Sequence, residues 1–170
     1  MKENFQASLV AVRKDEGGND DDPADHGGRT SRGITQREYD AFRHLSGKPS
    51  SDVWAATDDE INAIYHDQYW EPWCDKFPVG IDYLYFDMAV NAGPHRATVL
   101  LQRALGVADD GHIGVLTLMA LSKADPKELI AHYSTAKKTF YISLNQPRFT
   151  RGWLNRVVHV QEIATEMLKI

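Results

Sequence analysis

Along the first sixteen positions the apolar residues return at intervals of four and three: Phe5, Leu9 and Val12 lead to Glu16 on the same spacing. That is the period of one helical face. At ~100° per residue the four side chains point within about 60° of one another. The spacing predicts a helix ending at Gly17-Gly18, where glycine lets the backbone leave at positive φ. It also puts a glutamate in line with the apolar stripe, in the last turn, where a solvated side chain would lie on the other face. Between residues 19 and 35 the period is lost. Asn19-Asp20-Asp21-Asp22-Pro23 has turn chemistry, and Gly27-Gly28 and Gly33 break the stretch after it. A short twisted hairpin is expected around Arg29 to Thr35.

From about residue 36 the helical period resumes. Thr57-Asp58-Asp59-Glu60 has the form of a capping box and predicts a helix with Ile61, Ile64 and Tyr65 turned inward. Trp70 to Gly80 reads as a loop rich in aromatics and proline. Residues 81 to 92 form a strongly apolar segment stopped by Gly93-Pro94, and 95 to 105 carry Ala97, Leu100, Leu101 and Ala104 on one face. Asp109-Asp110-Gly111 makes a turn before short helical residues 114 to 121. Asp125-Pro126 opens a long helix to about 144, since proline suits the first helical position. A last helix is expected over roughly 153 to 168, with Trp153, Val157, Ala164 and Met167 near one face. There are no repeats and no linkers. The pattern predicts one predominantly α, α+β domain over 1–170, with a hairpin-bearing segment to about 80 and a helical segment over about 81–160.

Composition narrows the function classes. The chain is 42% hydrophobic and 25% charged, as folded globular proteins are. One cysteine, Cys74, leaves no internal disulfide and suits a reducing compartment; its expected role is a small packed hydrophobe. No run approaches the ~18 apolar residues that span a bilayer, and Met1 to Gln6 has no signal-type apolar stretch, so membrane insertion is not expected. The formal charge of −5 divides unevenly: residues 123 to 170 carry net +4 and residues 1 to 122 net −9. The acidic balance and lack of a basic stripe argue against nucleic acid as a partner.

The candidate chemistry is acid catalysis. Glycoside hydrolysis needs a carboxylic acid that is still protonated near neutral pH. Three things would push Glu16 upward: its line in the apolar stripe, its place at the negative end of a helix, and the neighbouring carboxylates. A second, solvated carboxylate must hold or deprotonate water, and Asp25, nine positions later across a glycine-rich turn, is suitable. A hydroxyl from Thr30 or Ser31 could orient the same water. The acidic run lacks the glutamate that closes a calcium loop, and His26 has no second histidine at ligand spacing. No metal and no cofactor is expected.

The string Glu16-Gly17-Gly18, Asp25, Gly27-Gly28, Thr30 and Gly33-Ile34-Thr35 resembles the motif of glycoside hydrolase family 108, the lysozyme-like muramidases of phage endolysins and some bacterial proteins. The likeness continues through Tyr69-Trp70, Phe86 to Gly93, Leu101 to Gly106 with Asp110-Gly111 and Gly114 to Thr117, and Phe149 with Gly152 to Arg156. It covers about residues 5 to 160, and the part from Leu101 resembles the family's predicted peptidoglycan-binding part. The resemblance implies a lysozyme-like fold with a small β-hairpin beside the catalytic helix. It implies hydrolysis of the β-1,4 bond between N-acetylmuramic acid and N-acetylglucosamine of bacterial peptidoglycan, by Glu16 as general acid, Asp25 as water-holding partner and Thr30 as auxiliary hydroxyl. Tyr69, Trp70 and Asn91 are candidates for sugar contact through ring faces and an amide, although helix termination competes for Asn91. Gln102 and Asp110-Gly111 read as structural, and Trp153 as core. In phage-type lysozymes the threonine follows the aspartate by six positions, the spacing of Ser31, whereas Thr30 stands at five. Asn19 stands where the family often has an aromatic residue. Inversion at the anomeric carbon is expected by analogy. A lytic transglycosylase, a chitinase-type glycosidase and a non-catalytic wall-binding or secretion-assisting protein are the alternatives. The protein is expected to be a monomer, held in the host bacterial cytoplasm until a pore such as a phage holin releases it to the periplasm and wall.

Overall fold

The structure, a computed structural model, describes residues 2–14, 19–20 and 29–169. The chain packs as two compact units, Lys2–Glu71 and Pro72–Ile170.

In the first unit α1 spans Lys2–Lys14, and its predicted stripe is buried: Phe5, Leu9 and Val12 are all closed off from solvent. The next residues of that face, up to Glu16, lie outside the described residues. Three two-residue strands come next, β1 (Asn19–Asp20), β2 (Thr30–Ser31) and β3 (Ile34–Thr35), in an antiparallel sheet of order β1-β2-β3. The expected hairpin is β2-β3, with Ser31 opposite Ile34 and Thr30 opposite Thr35. Its two-residue connection, Arg32-Gly33, has φ of 51° and 81°, the mirror-image turn that suits the twist of short hairpins. An arginine at positive φ is held by its neighbours. Its guanidinium meets Asp58 at 2.7 Å and the Ala56 carbonyl at 2.5 Å, and its own carbonyl accepts from the Tyr65 hydroxyl at 2.9 Å. The sequence pattern reads Asn19-Asp20 as turn; they form β1 instead, paired with Ser31 and Thr30. That pairing is long-range and leaves no local period to read.

α2 (Gln36–Leu45) and α3 (Asp58–Tyr65) both begin with reciprocal caps, Thr35 with Glu38 and Thr57 with Glu60. Ile61, Ile64 and Tyr65 are buried as the box predicted. Glu60 also joins the two helices: it accepts from Tyr39 Oη at 2.7 Å, Arg43 Nη1 at 3.0 Å and Lys48 Nζ at 2.9 Å. The Lys48 ammonium and the Tyr39 hydroxyl hold its carboxyl down at about 2. A short 3₁₀ turn at Val53–Ala55 lies between the helices, and a π-helical turn at His66–Trp70 comes after α3.

The second unit is helical. A 3₁₀ turn at Cys74–Lys76 precedes α4 (Ile81–Ala92), α5 (Pro94–Leu105), α6 (Val115–Lys123), α7 (Pro126–Ser143) and α8 (Pro147–Met167). Cys74 is wholly buried. Every residue of α4 from Ile81 to Ala89 is buried, the aspartates Asp82 and Asp87 included. Gly80 enters it at φ 85°, where a Cβ would come within 2.7 Å of the Ala164 carbonyl. α4 also contains Asp87, whose carboxylate receives Lys137 Nζ at 2.5 Å and Arg156 Nε at 2.9 Å. Burial alone would push this carboxyl up; Lys137 and Arg156 outweigh it and hold it below the ordinary range.

The loop after α5 is clamped by Gln102. Its amide nitrogen donates to Asp110 Oδ1, the His112 carbonyl and Thr117 Oγ1, and its carbonyl oxygen accepts from Gly111 N. The structural reading of Gln102 and Asp110-Gly111 therefore holds. The last helix begins at Pro147, six residues before the expected start. Gly152 is exposed with nothing around its missing side chain, so α8 runs through it. Trp153 is half-buried and stacks on Tyr141 and Phe149, with ring centres 5.3 and 5.7 Å away.

Candidate active site

The sequence points to the small sheet, and strand alternation separates its two candidate hydroxyls. Successive side chains of a strand face opposite ways. Ser31 is wholly buried, and its Oγ accepts from Arg32 Nε at 3.2 Å. Thr30, on the other face of β2, is half-buried. Of the two, only Thr30 keeps a partly accessible side chain.

Beside Thr30 stands a residue that the sequence pattern does not single out. Trp54, in the 3₁₀ turn, is 40% exposed, and its indole N–H donates to the Thr30 carbonyl at 2.9 Å. The Arg29 guanidinium lies 4.0 Å from its ring centre and pairs with Asp52 at 2.5 Å. Asp52 in turn caps the turn by accepting from Trp54 N. A depression of about 390 Å³ opens next to this group, lined by Arg29, Gln36, Asp40 and Ser50 to Asp52. A turn this short has no hydrophobic period. Its available signal was Asp52 two residues before a tryptophan, an Asx-type turn that presents the ring outward.

Glu16 and Asp25 lie outside the described residues. Glu16 stands in the chain between Lys14, the end of α1, and Asn19, the start of β1. Asp25 stands between β1 and β2, whose pairing sets Asp20 opposite Thr30.

The three sugar-contact candidates fare differently. Trp70 is 1% exposed, with the Phe5 ring packed edge-on at 5.3 Å. A ring closed off in this way has no face for a pyranose, and its role is to seat α1; the expectation of a stacking platform is corrected. Tyr69 is half-buried and donates its hydroxyl to Glu38 Oε1 at 2.7 Å, so that hydroxyl supports the cap of α2. Asn91 is exposed near the end of α4 and donates Nδ2 to the Asp87 carbonyl one turn back at 2.7 Å. That is the helix-terminating role, and Asn91 belongs to the second unit. The first unit brings Thr30 and Trp54 together. Among the described residues no group of three or more His, Cys, Asp or Glu could hold a metal ion.

The family model described as Glycosyl hydrolase 108 matches residues 9–93, and the model described as Predicted Peptidoglycan domain matches residues 96–158. Among solved structures, that of Brucella abortus SagA is similar at 33% identity and a TM-score of 0.83, over 98% of this chain and 97% of that one. No curated protein sequence matches the chain.

Proposed function

The chain belongs to the glycosyl hydrolase 108 family, and on that footing we propose that Glu16 is its general acid, Asp25 its water-holding carboxylate and Thr30 its auxiliary hydroxyl. The protein is a lysozyme-like glycoside hydrolase that acts on peptidoglycan. The bond we assign to it is the β-1,4 link between N-acetylmuramic acid and N-acetylglucosamine. Glu16 protonates the leaving oxygen while Asp25 and Thr30 hold the attacking water on the other face of the sugar, the arrangement of an inverting enzyme.

The observation that carries this assignment is the pairing of Asp20 with Thr30. It joins the two ends of the segment containing Asp25 at the strand that bears Thr30. Glu16 is three residues before the same ladder and two beyond the end of α1. The described strands β1 and β2 thus flank the chain positions of Glu16 and Asp25, which supports the reading. Trp54, held on the Thr30 carbonyl, supplies the exposed ring on which a pyranose can pack.

Asp25→Asn is expected to lose most but not all wall-clearing activity, a fall of about 10²–10⁴-fold, because the acid and substrate binding still contribute. Thr30→Val is expected to lower the turnover rate with the melt unchanged. Ser31→Ala, at a buried position, is expected to move the melt and spare the rate. Turbidity assays on purified walls with parallel thermal melts check this. A silent Thr30→Val beside a slow Ser31→Ala would transfer the role to Ser31.

A further inference from the structure

A cavity of ligand size lies in the second unit, far along the chain from Glu16, Asp25 and Thr30. It is a groove of about 690 Å³ between the end of α5, the end of α6 and the first half of α7. Ligand sites commonly occupy about 300–1,000 Å³. Every residue lining the groove falls between Arg103 and Ala136, inside the stretch matched by the Predicted Peptidoglycan domain.

The lining chemistry identifies the occupant. The lining includes the methyl groups of Ala104, Ala120, Ala124 and Ala136, with Leu129 beside them, and no Phe, Tyr or Trp. A sugar platform would need an aromatic face, so the glycan strand is a poor fit. Lys123, Asp125 and Glu128 also line the groove; all three are exposed, and none has an ion-pair partner among the described residues, Asp125 accepting from Glu128 N as the cap of α7. Peptidoglycan carries, besides its sugars, short alanine-containing peptide branches with free carboxylates and an amine. Small methyls in the lining and unpaired charges of both signs match such a peptide.

We propose that this groove docks the peptide branches of peptidoglycan, with Lys123 meeting a peptide carboxylate and Glu128 the peptide ammonium. The inference rests on the reading of the chain as a peptidoglycan hydrolase. Docking the branch would hold the enzyme on cross-linked wall while the first unit works on the glycan. It also supplies a local contact to the wall, since the acidic first half of the chain gains nothing from attraction to an anionic polymer.

The test is an NMR titration of the full isotope-labelled chain with two probes. One is a sugar-free tetrapeptide of alanine, glutamate, diaminopimelate and alanine; the other is glycan strands stripped of peptide by an amidase. The tetrapeptide is expected to shift the amides of residues 104–106, 120–124 and 128–136, and the stripped strands to leave them in place. Lys123→Glu and, separately, Glu128→Gln are each expected to weaken tetrapeptide binding by about tenfold. Both positions are exposed, and thermal melts confirm that the variants fold. The proposal is overturned if the tetrapeptide leaves these amides unmoved, or if both variants bind it as the parent does. Wall clearing is measured in parallel: a chain that clears walls without binding the tetrapeptide loses the groove alone. A chain that binds the tetrapeptide but hydrolyses nothing loses the enzymatic assignment alone.

Discussion

Glu16→Gln will abolish lysis of wall substrate and leave the thermal melt within a few degrees of the parent. The amide matches the carboxyl in shape and size, so the substitution brings no change of volume. It has no proton acidic enough to give to a departing sugar oxygen. General acid catalysis contributes about 10²–10⁴-fold, and an enzyme that must protonate its leaving group has no substitute for it. The fall should therefore reach the background of the assay. Turbidity clearing and a melt of the same sample read the two halves of the prediction. An active Glu16→Gln chain would remove Glu16 from the mechanism and leave the family assignment in need of another acid.

The second large effect is on stability. Asp87→Asn will destabilise the second unit by about 3–5 kcal/mol, because it removes the anion from two cations that the fold has already desolvated. Lys137 is wholly buried, and its ammonium has Asp87 at 2.5 Å; an amide oxygen cannot neutralise it. For a chain of this size that loss lowers the melt by roughly 6–20 °C. Asp87→Leu combined with Lys137→Met should recover much of it, since apolar residues of similar volume replace a buried pair well; Arg156, at 16% exposure, can still turn toward water. The same triad sets an acid limit. Asp87 titrates below its ordinary value of 3.8 in the folded chain, so its contribution is present above that value and is lost as the pH falls through the folded-state pKa. Acid melts of the parent should steepen there, and those of Asp87→Asn should lack that component. Equal acid curves for the two would contradict the account of the triad.

How much of the fold is legible in the sequence depends on the range of the interactions. The caps at Thr57-Glu60, the proline that opens α7 and the apolar stripe of Phe5, Leu9 and Val12 are local, and each stands where the pattern puts it. β1 escapes the pattern because a two-residue strand is defined only by its partner, about eleven positions along. Trp70 misleads for a related reason. An aromatic at the edge of a loop reads as available, and only the packing of Phe5, sixty-five positions earlier, shows that it is closed. Trp54 leaves no periodic signal because its setting is a single 3₁₀ turn. Asp87 is visible as part of a motif, but its partners lie fifty and sixty-nine residues away, so its role is not. The early start of α8 has another cause. Gly152 resembles a boundary, yet an exposed glycine inside a helix costs only about 1 kcal/mol, which the length of α8 absorbs.

The central claim, hydrolysis of the muramic acid bond, is tested most directly by the chemistry of the new ends. Purified sacculi digested by the protein, with the soluble fragments reduced with borohydride and analysed by mass spectrometry, should show reduced N-acetylmuramic acid at the new end of each fragment. Borohydride reduces a free hemiacetal end, so the label appears only where water has opened the bond. Fragments ending in 1,6-anhydro sugars, which resist reduction, would show cleavage without water and contradict the role given to Asp25; reduced N-acetylglucosamine ends would contradict the choice of bond.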